Sequence, residues 1–244
     1  MEIRLNKYLS DAGICSRREA DRLIDKGEIF VDGIVATMGQ KVSEKNIVTY
    51  KGKTIKKKQQ TILLALNKPV GIECTTDTSN KNNIVDFVNY HERVYPIGRL
   101  DKNSEGLIFL TNNGEISDKM MRASNYHEKE YIVEIDKEIT DTFIKKMSGG
   151  IHIVDDEHRL NVVTRKCEVK RINKNTFSIV LTQGINRQIR RMCKACGYNV
   201  VKLQRIRIMN IRLNGIKQGE YRSVTNNELS ELLELLNRNK KFKN

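Results

Sequence analysis

Apolar residues recur along this chain in two rhythms. Near the start the spacing is helical: Leu5, Tyr8, Leu9 and Ala12 share one face, and Gly13 can end that helix in the left-handed conformation. Ser16-Arg17-Arg18-Glu19 has the S-x-x-E form of a capping box and opens a second helix, with Ala20, Leu23 and Ile24 inward and Gly27 at its close. Ile29-Phe30-Val31, Asp32-Gly33 and Ile34-Val35 signal a hairpin, because a type I′ turn needs positive φ twice. From Ile62 the texture changes. Ile62 to Leu66 is a continuous apolar run, the mark of a buried strand, and it leaves into Asn67-Lys68-Pro69-Val70-Gly71. Further strands are predicted near 93–97, 107–111, 129–136, 166–172 and 176–182, and helices near 84–88, 114–122, 139–148 and 186–197. Thr225-Asn226-Asn227-Glu228 is a second capping box, ahead of Leu229, Leu232, Leu233 and Leu236. Strands interspersed with non-alternating helices predict an α+β domain around a mixed or antiparallel sheet.

The same pattern divides the chain into a small module with its linker (1–60), a larger domain (61–237) and a basic tail (238–244) expected to fray. The linker, Lys51 to Gln60, carries five lysines and no acid. Charge sharpens the picture: 44 Lys and Arg against 30 Asp and Glu give +14 over 244 residues. A cytoplasmic protein that basic meets a polyanion, and nucleic acid is the natural one. No apolar stretch is long enough to span a bilayer, and the charged, amphipathic start is unlike a signal peptide. Five irregularly spaced cysteines argue for a reducing compartment rather than a disulfide framework. A monomer is the default expectation.

Candidate chemistry centres on Gly98-Arg99-Leu100-Asp101-Lys102-Asn103-Ser104-Glu105-Gly106-Leu107. Apolar runs flank it (Val94 to Ile97, Leu107 to Leu110), so Asp101 is expected on a tight loop between two strands, a rigid place for a reacting group. A lone loop aspartate is more often a turn former. Two further motifs change that weighting: Lys129-Glu130-Tyr131-Ile132-Val133, and Gly184-Ile185-Asn186-Arg187-Gln188-Ile189-Arg190-Arg191-Met192. With NKPVG at 67–71, their order and spacing resemble the RsuA and RluB/E/F family of pseudouridine synthases over essentially the whole chain. The first 50 residues, through SRREA and VDG, resemble the S4 RNA-binding domain. NIVDFVN, HEKEYIV, QGINRQIRRMC and RIMNI are most similar to the F branch of the family; Asn103, where an acid is more usual, is a departure.

The resemblance implies an S4 module followed by an α+β catalytic domain that moves uracil from an N1 to a C5 link on one ribose of an RNA. It implies no cofactor and no metal. Asp101 is then the catalytic carboxylate, Tyr131 the ring that stacks on the base, and Arg190 the partner of Asp101. A closed pocket disfavours an ionised carboxylate, and an adjacent guanidinium would restore it and fix its orientation. A tyrosine offers a flat apolar face with a polar tip, suited to a detached uracil. Attack on the sugar, attack on the base and elimination through a glycal all remain open.

RNA contact is expected from Arg4, Lys7, Arg17 and Arg18, the last two at a helix start that itself attracts phosphate. In the larger domain Arg99, Lys129, Arg187, Arg191, Lys194 and Arg205 are the candidates. The run from Gly184 to Arg212 holds eight cations and no acid, so its helix is expected to pack inward and bind phosphate outward. Cys193-Lys194-Ala195-Cys196 is formally a CxxC pair, but no second pair lies near it, and helical packing is the better reading. Histidines 91, 127, 152 and 158 have no ligand spacing. Ribosomal RNA of the large subunit is the expected substrate, with a tRNA anticodon as a second. The competing readings are a non-catalytic S4-type assembly factor, or a synthase for another ribosomal position.

Overall fold

A computed structural model of the chain describes residues 2–56, 60–122, 126–155, 157 and 159–238. Lys57, Lys58 and Gln59 of the expected linker, His158, and residues 239–244 of the tail lie outside the described residues. The chain forms two compact units: one runs to Ile62 and includes Tyr90–Val94 and Asn112–Gly114, and the other is made of the remainder.

The first unit follows its hydrophobic pattern. β1 (Ile3–Arg4), α1 (Leu5–Asp11), α2 (Arg17–Asp25), β2 (Ile29–Val31), β3 (Ile34–Val35), β4 (Lys41–Val42), β5 (Val48–Tyr50) and β6 (Lys53–Thr54) enclose one core. Leu5, Leu9, Ala20, Ile24, Ile29 and Val48 are all at most 3% exposed in it. Ser16 caps α2 by accepting from the Glu19 amide at 3.2 Å, but the Glu19 carboxylate turns to Arg22 at 2.9 Å, so the box forms only by half. Asp32 and Gly33 both take positive φ, as the hairpin turn requires. Arg4, Arg17 and Arg18 are exposed, whereas Lys7 is tied to Asp11 at 2.6 Å.

The second unit is built on β7 (Leu63–Lys68), α3 (Ile84–Val88), β8 (Tyr95–Ile97), β9 (Glu105–Thr111), α4 (Gly114–Met121), β10 (Lys129–Ile135), α5 (Asp141–Gly149), β11 (His152–Asp155) and β12 (Leu160–Val163). It continues through β13 (Glu168–Arg171), β14 (Thr176–Leu181), α6 (Gln188–Ala195), β15 (Val200–Ile208), β16 (Ile211–Arg212), β17 (Tyr221–Ser223) and α7 (Asn226–Arg238). One mixed sheet runs β13-β14-β10-β15-β9-β7-β17, with β8 on β9 and β16 on β15. Every pairing in it is antiparallel except β9 with β15. The fold is thus the α+β arrangement the pattern predicts. β15 and the β11–β12 hairpin have no counterpart in the sequence reading. Lys202, Gln204, Arg205 and Arg207 interrupt the apolar rhythm of β15, and a bulge near Ile206 shifts its register against β10.

The closing helix shows both halves of its box. The Glu228 amide donates to Thr225 Oγ1 at 3.3 Å, and Glu228 Oε2 accepts from the Thr225 amide at 3.0 Å. Arg222 grips the same carboxylate through both Nη atoms at 2.7 Å, and this hydrogen bonding holds the Glu228 carboxyl down at about 2. Because the folded value lies below the ordinary one, the stabilisation is complete above the usual carboxylate range and is lost as pH falls toward about 2. Glu228→Ala should cost about 2 kcal/mol in urea unfolding at pH 7, with the gap to wild type closing in acid.

Candidate active site

Asp101 sits where the two flanking runs place it, on the loop from β8 to β9. Gly98, at φ +74°, turns the chain out of β8, and the Asp101 carbonyl accepts from the Ser104 amide at 3.0 Å. The loop is anchored from behind: Gly71 N donates to the Lys102 carbonyl at 2.9 Å, and the Lys102 ammonium meets Glu73 at 3.0 Å. Lys68, from NKPVG, is wholly buried and donates to the carbonyls of Pro69 and Ile72 at 2.8 Å each. Burial pushes its ammonium down, and Asp101 is among the groups that pull it back. NKPVG is therefore a brace beneath the Asp101 loop.

Asp101 opens onto a cavity of about 570 Å³, large enough for a nucleoside. Tyr131 on β10, Lys129 beside it, Arg205 on β15, and Arg187 and Ile189 at the start of α6 line the same space. The sheet brings them together: β9 pairs with β15, β15 pairs with β10, and register sets Tyr131 opposite Arg205. The Arg205 guanidinium carbon lies 6.0 Å from the centre of the Tyr131 ring, and Tyr131 also packs against the domain core.

The expected Arg190–Asp101 ion pair does not form. Arg190 Nη2 donates to the Asn103 carbonyl at 2.7 Å and to Ser104 Oγ at 3.3 Å, while Nη1 donates to the Val200 carbonyl at 3.2 Å. It thus clamps the Asp101 loop through backbone acceptors, and Asn103 is used through its carbonyl, which any side chain there would supply. The guanidinium nearest the carboxylate is Arg187, with Nη1 4.0 Å from Asp101 Oδ2. Arg187 caps α6 in a left-handed conformation, φ 52°, an uncommon geometry for a side chain of this size. Burial lowers the Arg190 guanidinium, and the neighbouring charge of Arg187 adds to that, with Asp101 opposing.

Two phosphate assignments also need correction. Arg191 is held by Asp155 at 2.9 and 2.7 Å, so its charge is matched within the fold. Arg205 is 4% exposed and donates through Nε to the Leu107 carbonyl at 2.6 Å, which makes it part of the cavity wall. The acid-free run 184–212 is not free of acids in space. Lys202 meets Glu105, Arg207 meets Glu128 and Glu130, and Arg212 meets Glu130. These carboxylates arrive from other segments, beyond the reach of a local reading. Arg99, Arg187 and Lys194 remain exposed, the first two at the cavity. Cys193 is a core side chain whose thiol burial pushes up to about 12.

His127 was overlooked. It is 4% exposed, lines the cavity, and contacts the Lys119 carbonyl through Nε2 at 3.1 Å. Its spacing to other histidines carried no signal, although its place two residues before Lys129 in a motif-bearing strand could have.

Comparison with known proteins now separates the possibilities. Residues 62–195 match the model for RNA pseudouridylate synthase, and residues 3–48 match the S4 domain. The chain belongs to the RNA pseudouridine synthase family. This synthase is 53% identical over 236 residues to the dual-specificity RNA pseudouridine synthase RluF of Shigella flexneri, covering 96% of its own chain and 79% of that relative. To the protein of the same name from Escherichia coli K12 it is 52% identical over the same shares. Ribosomal large subunit pseudouridine synthase B of Bacillus subtilis is 34% identical, over 97% of this chain and 98% of that one. A crystal structure titled pseudouridylate synthase superimposes with a TM-score of 0.67 at 22% identity, over 96% of this chain and 99% of that one, and so shares the fold. The synthase is an isomerase acting on RNA, with an S4 module ahead of its catalytic fold. Among its described residues no helix is long and apolar enough to cross a membrane.

Proposed function

We propose that the synthase uses Asp101 as its reacting carboxylate on a uridine drawn out of its stack into the cavity, with Tyr131 holding the detached uracil. The observation that carries this is their presence on one nucleoside-sized cavity, with the Asp101 loop tied to Gly71 through the Lys102 carbonyl and clamped by Arg190. Extruding the base costs roughly a few kcal/mol, which contacts to the flanking RNA can offset. Arg187 steadies the carboxylate, and Arg190 acts as a positioning residue through the backbone of the loop. The substrate we assign is large-subunit ribosomal RNA, with a tRNA as a second target, in keeping with the dual-specificity name of relatives at 52–53% identity. A ribosomal substrate goes with work in the cytoplasm. Mapping pseudouridine across ribosomal and transfer RNA with and without the gene tests both targets.

The module of residues 1–60 is assigned to gripping phosphates through Arg4, Arg17 and Arg18. Its removal should weaken RNA binding and make the log-affinity against log-salt slope shallower by about 2 to 3. An unchanged slope would exclude phosphate contact by this module.

A further inference from the structure

Strand β10 carries a second group toward the cavity beside Tyr131. Side chains two apart on a strand share a face, and the register confirms it here: Lys129 pairs with Leu181 and Tyr131 with Ile179, both buried. Lys129 is therefore a neighbour of the ring proposed to hold the base, on the cavity side of the sheet. Its surroundings are unusual for an ammonium. Leu181 and Ile208 flank it in the sheet, Met120 lines the cavity nearby, and its Nζ has one long contact, 3.5 Å to the His127 carbonyl. Among the described residues no carboxylate pairs with it. Glu128 and Glu130, its sequence neighbours, are engaged by Arg207. The charged group acting on Lys129 is Arg205, also a cation, and the nearby His127 ring is pushed toward its neutral form by burial. Asp101 and Arg187 line the same cavity and engage each other.

Two cations on the wall of a cavity, Arg205 buried and Lys129 partly so, with no carboxylate paired to Lys129 among the described residues, suit a ligand that becomes negative there. We propose that Lys129, supported by Arg205, stabilises the negative charge that gathers on the uracil oxygens when the base leaves its ribose. This rests on the reading of Asp101 and Tyr131 given above. When the C1′–N1 bond breaks, its electron pair stays with the ring and spreads over N1, O2 and O4. C5 then gives a pair to C1′, the C5 proton departs, and N1 takes up a proton, so the isomer is neutral. Only the detached state carries the charge, and a group that meets it there lowers the barrier without tightening substrate binding. A backbone phosphate is the competing partner, but it is anionic throughout and would affect binding instead. The place of Lys129 two residues from Tyr131 on the same face of β10 favours the base, which that ring is proposed to hold.

Single-turnover rates on a modifiable RNA, measured with affinity across pH 6 to 9.5, decide it. Lys129→Met should lower the chemical rate about 10²-fold while leaving RNA affinity within about twofold. It should also raise the melting temperature, since a buried charge is removed, which shows that the variant folds. Burial holds the Lys129 ammonium down at about 8, so the wild-type rate should decline as pH rises through that value. Lys129→Arg, charged throughout, should keep most of the rate and abolish that decline. Lys129→Met with wild-type rate, or with weakened binding alone, would overturn the proposal and point to a phosphate contact in the second case. Wild-type protein that forms no pseudouridine on any RNA tested would instead remove the proposed function, and this inference with it.

Discussion

Asp101→Asn protein should bind RNA as the wild type does and form no measurable pseudouridine. The substitution changes one oxygen for nitrogen on a loop held by contacts that do not use the Asp101 carboxylate: Ser104 N to the Asp101 carbonyl, Arg190 to the Asn103 carbonyl and Ser104 Oγ, Gly71 N to the Lys102 carbonyl, and Lys102 to Glu73. The fold has no reason to move. The amide cannot attack or stabilise a sugar carbon as a carboxylate does, so a rate loss of about 10⁴-fold or more is expected, in line with removal of a reacting group elsewhere. Affinity should stay within about twofold. Release of the C5 hydrogen from tritiated RNA gives the rate, and filter binding gives the affinity. An Asn variant with more than a tenth of wild-type activity would end the assignment.

Gly106→Ala should cost more stability than any cavity-lining change. Gly106 stands at φ +105°, a region that side chains rarely enter, and faces Arg205 across the parallel pairing of β9 and β15. An added Cβ would lie 2.3 Å from the Arg205 carbonyl oxygen and 2.7 Å from its nitrogen, both backbone atoms that cannot swing aside. Strain plus forced separation of the strands gives about 3–5 kcal/mol. Urea unfolding followed by circular dichroism measures it, and a loss under 1 kcal/mol would show that the two strands part easily. The last glycine of GRLDKNSEGL is thus there for close approach of backbones rather than for chemistry.

Much of this could be seen in the residues, and what could not has physical causes. The capping boxes at Ser16 and Thr225, the Asp32-Gly33 turn and the apolar runs of β7 and β9 are local signals, and the structure places those elements accordingly. The Asp101 loop was legible because two apolar strands bracket it. Long-range pairing was not. β15 hides behind its cations Lys202 and Arg207, and the carboxylate partners of these two and of Arg191 and Arg212 beside them lie some 36 to 97 positions away in the chain, distances no window can bridge. The same blindness gave Arg190 to Asp101, when three carbonyl and hydroxyl acceptors hold it and Arg187 stands nearer.

The pairing of Arg207 with Glu128 and Glu130 means that formal charge misstates this surface. Neutralising Arg207 subtracts one unit on paper, yet it strips Glu128 of its cation and leaves Glu130 to Arg212 alone, so the local field shifts by more than the tally suggests. A tally of lysines and arginines is therefore a poor map of where a polyanion is attracted; the exposed ones without an ion pair among the described residues, such as Arg99 and Lys194, draw that map.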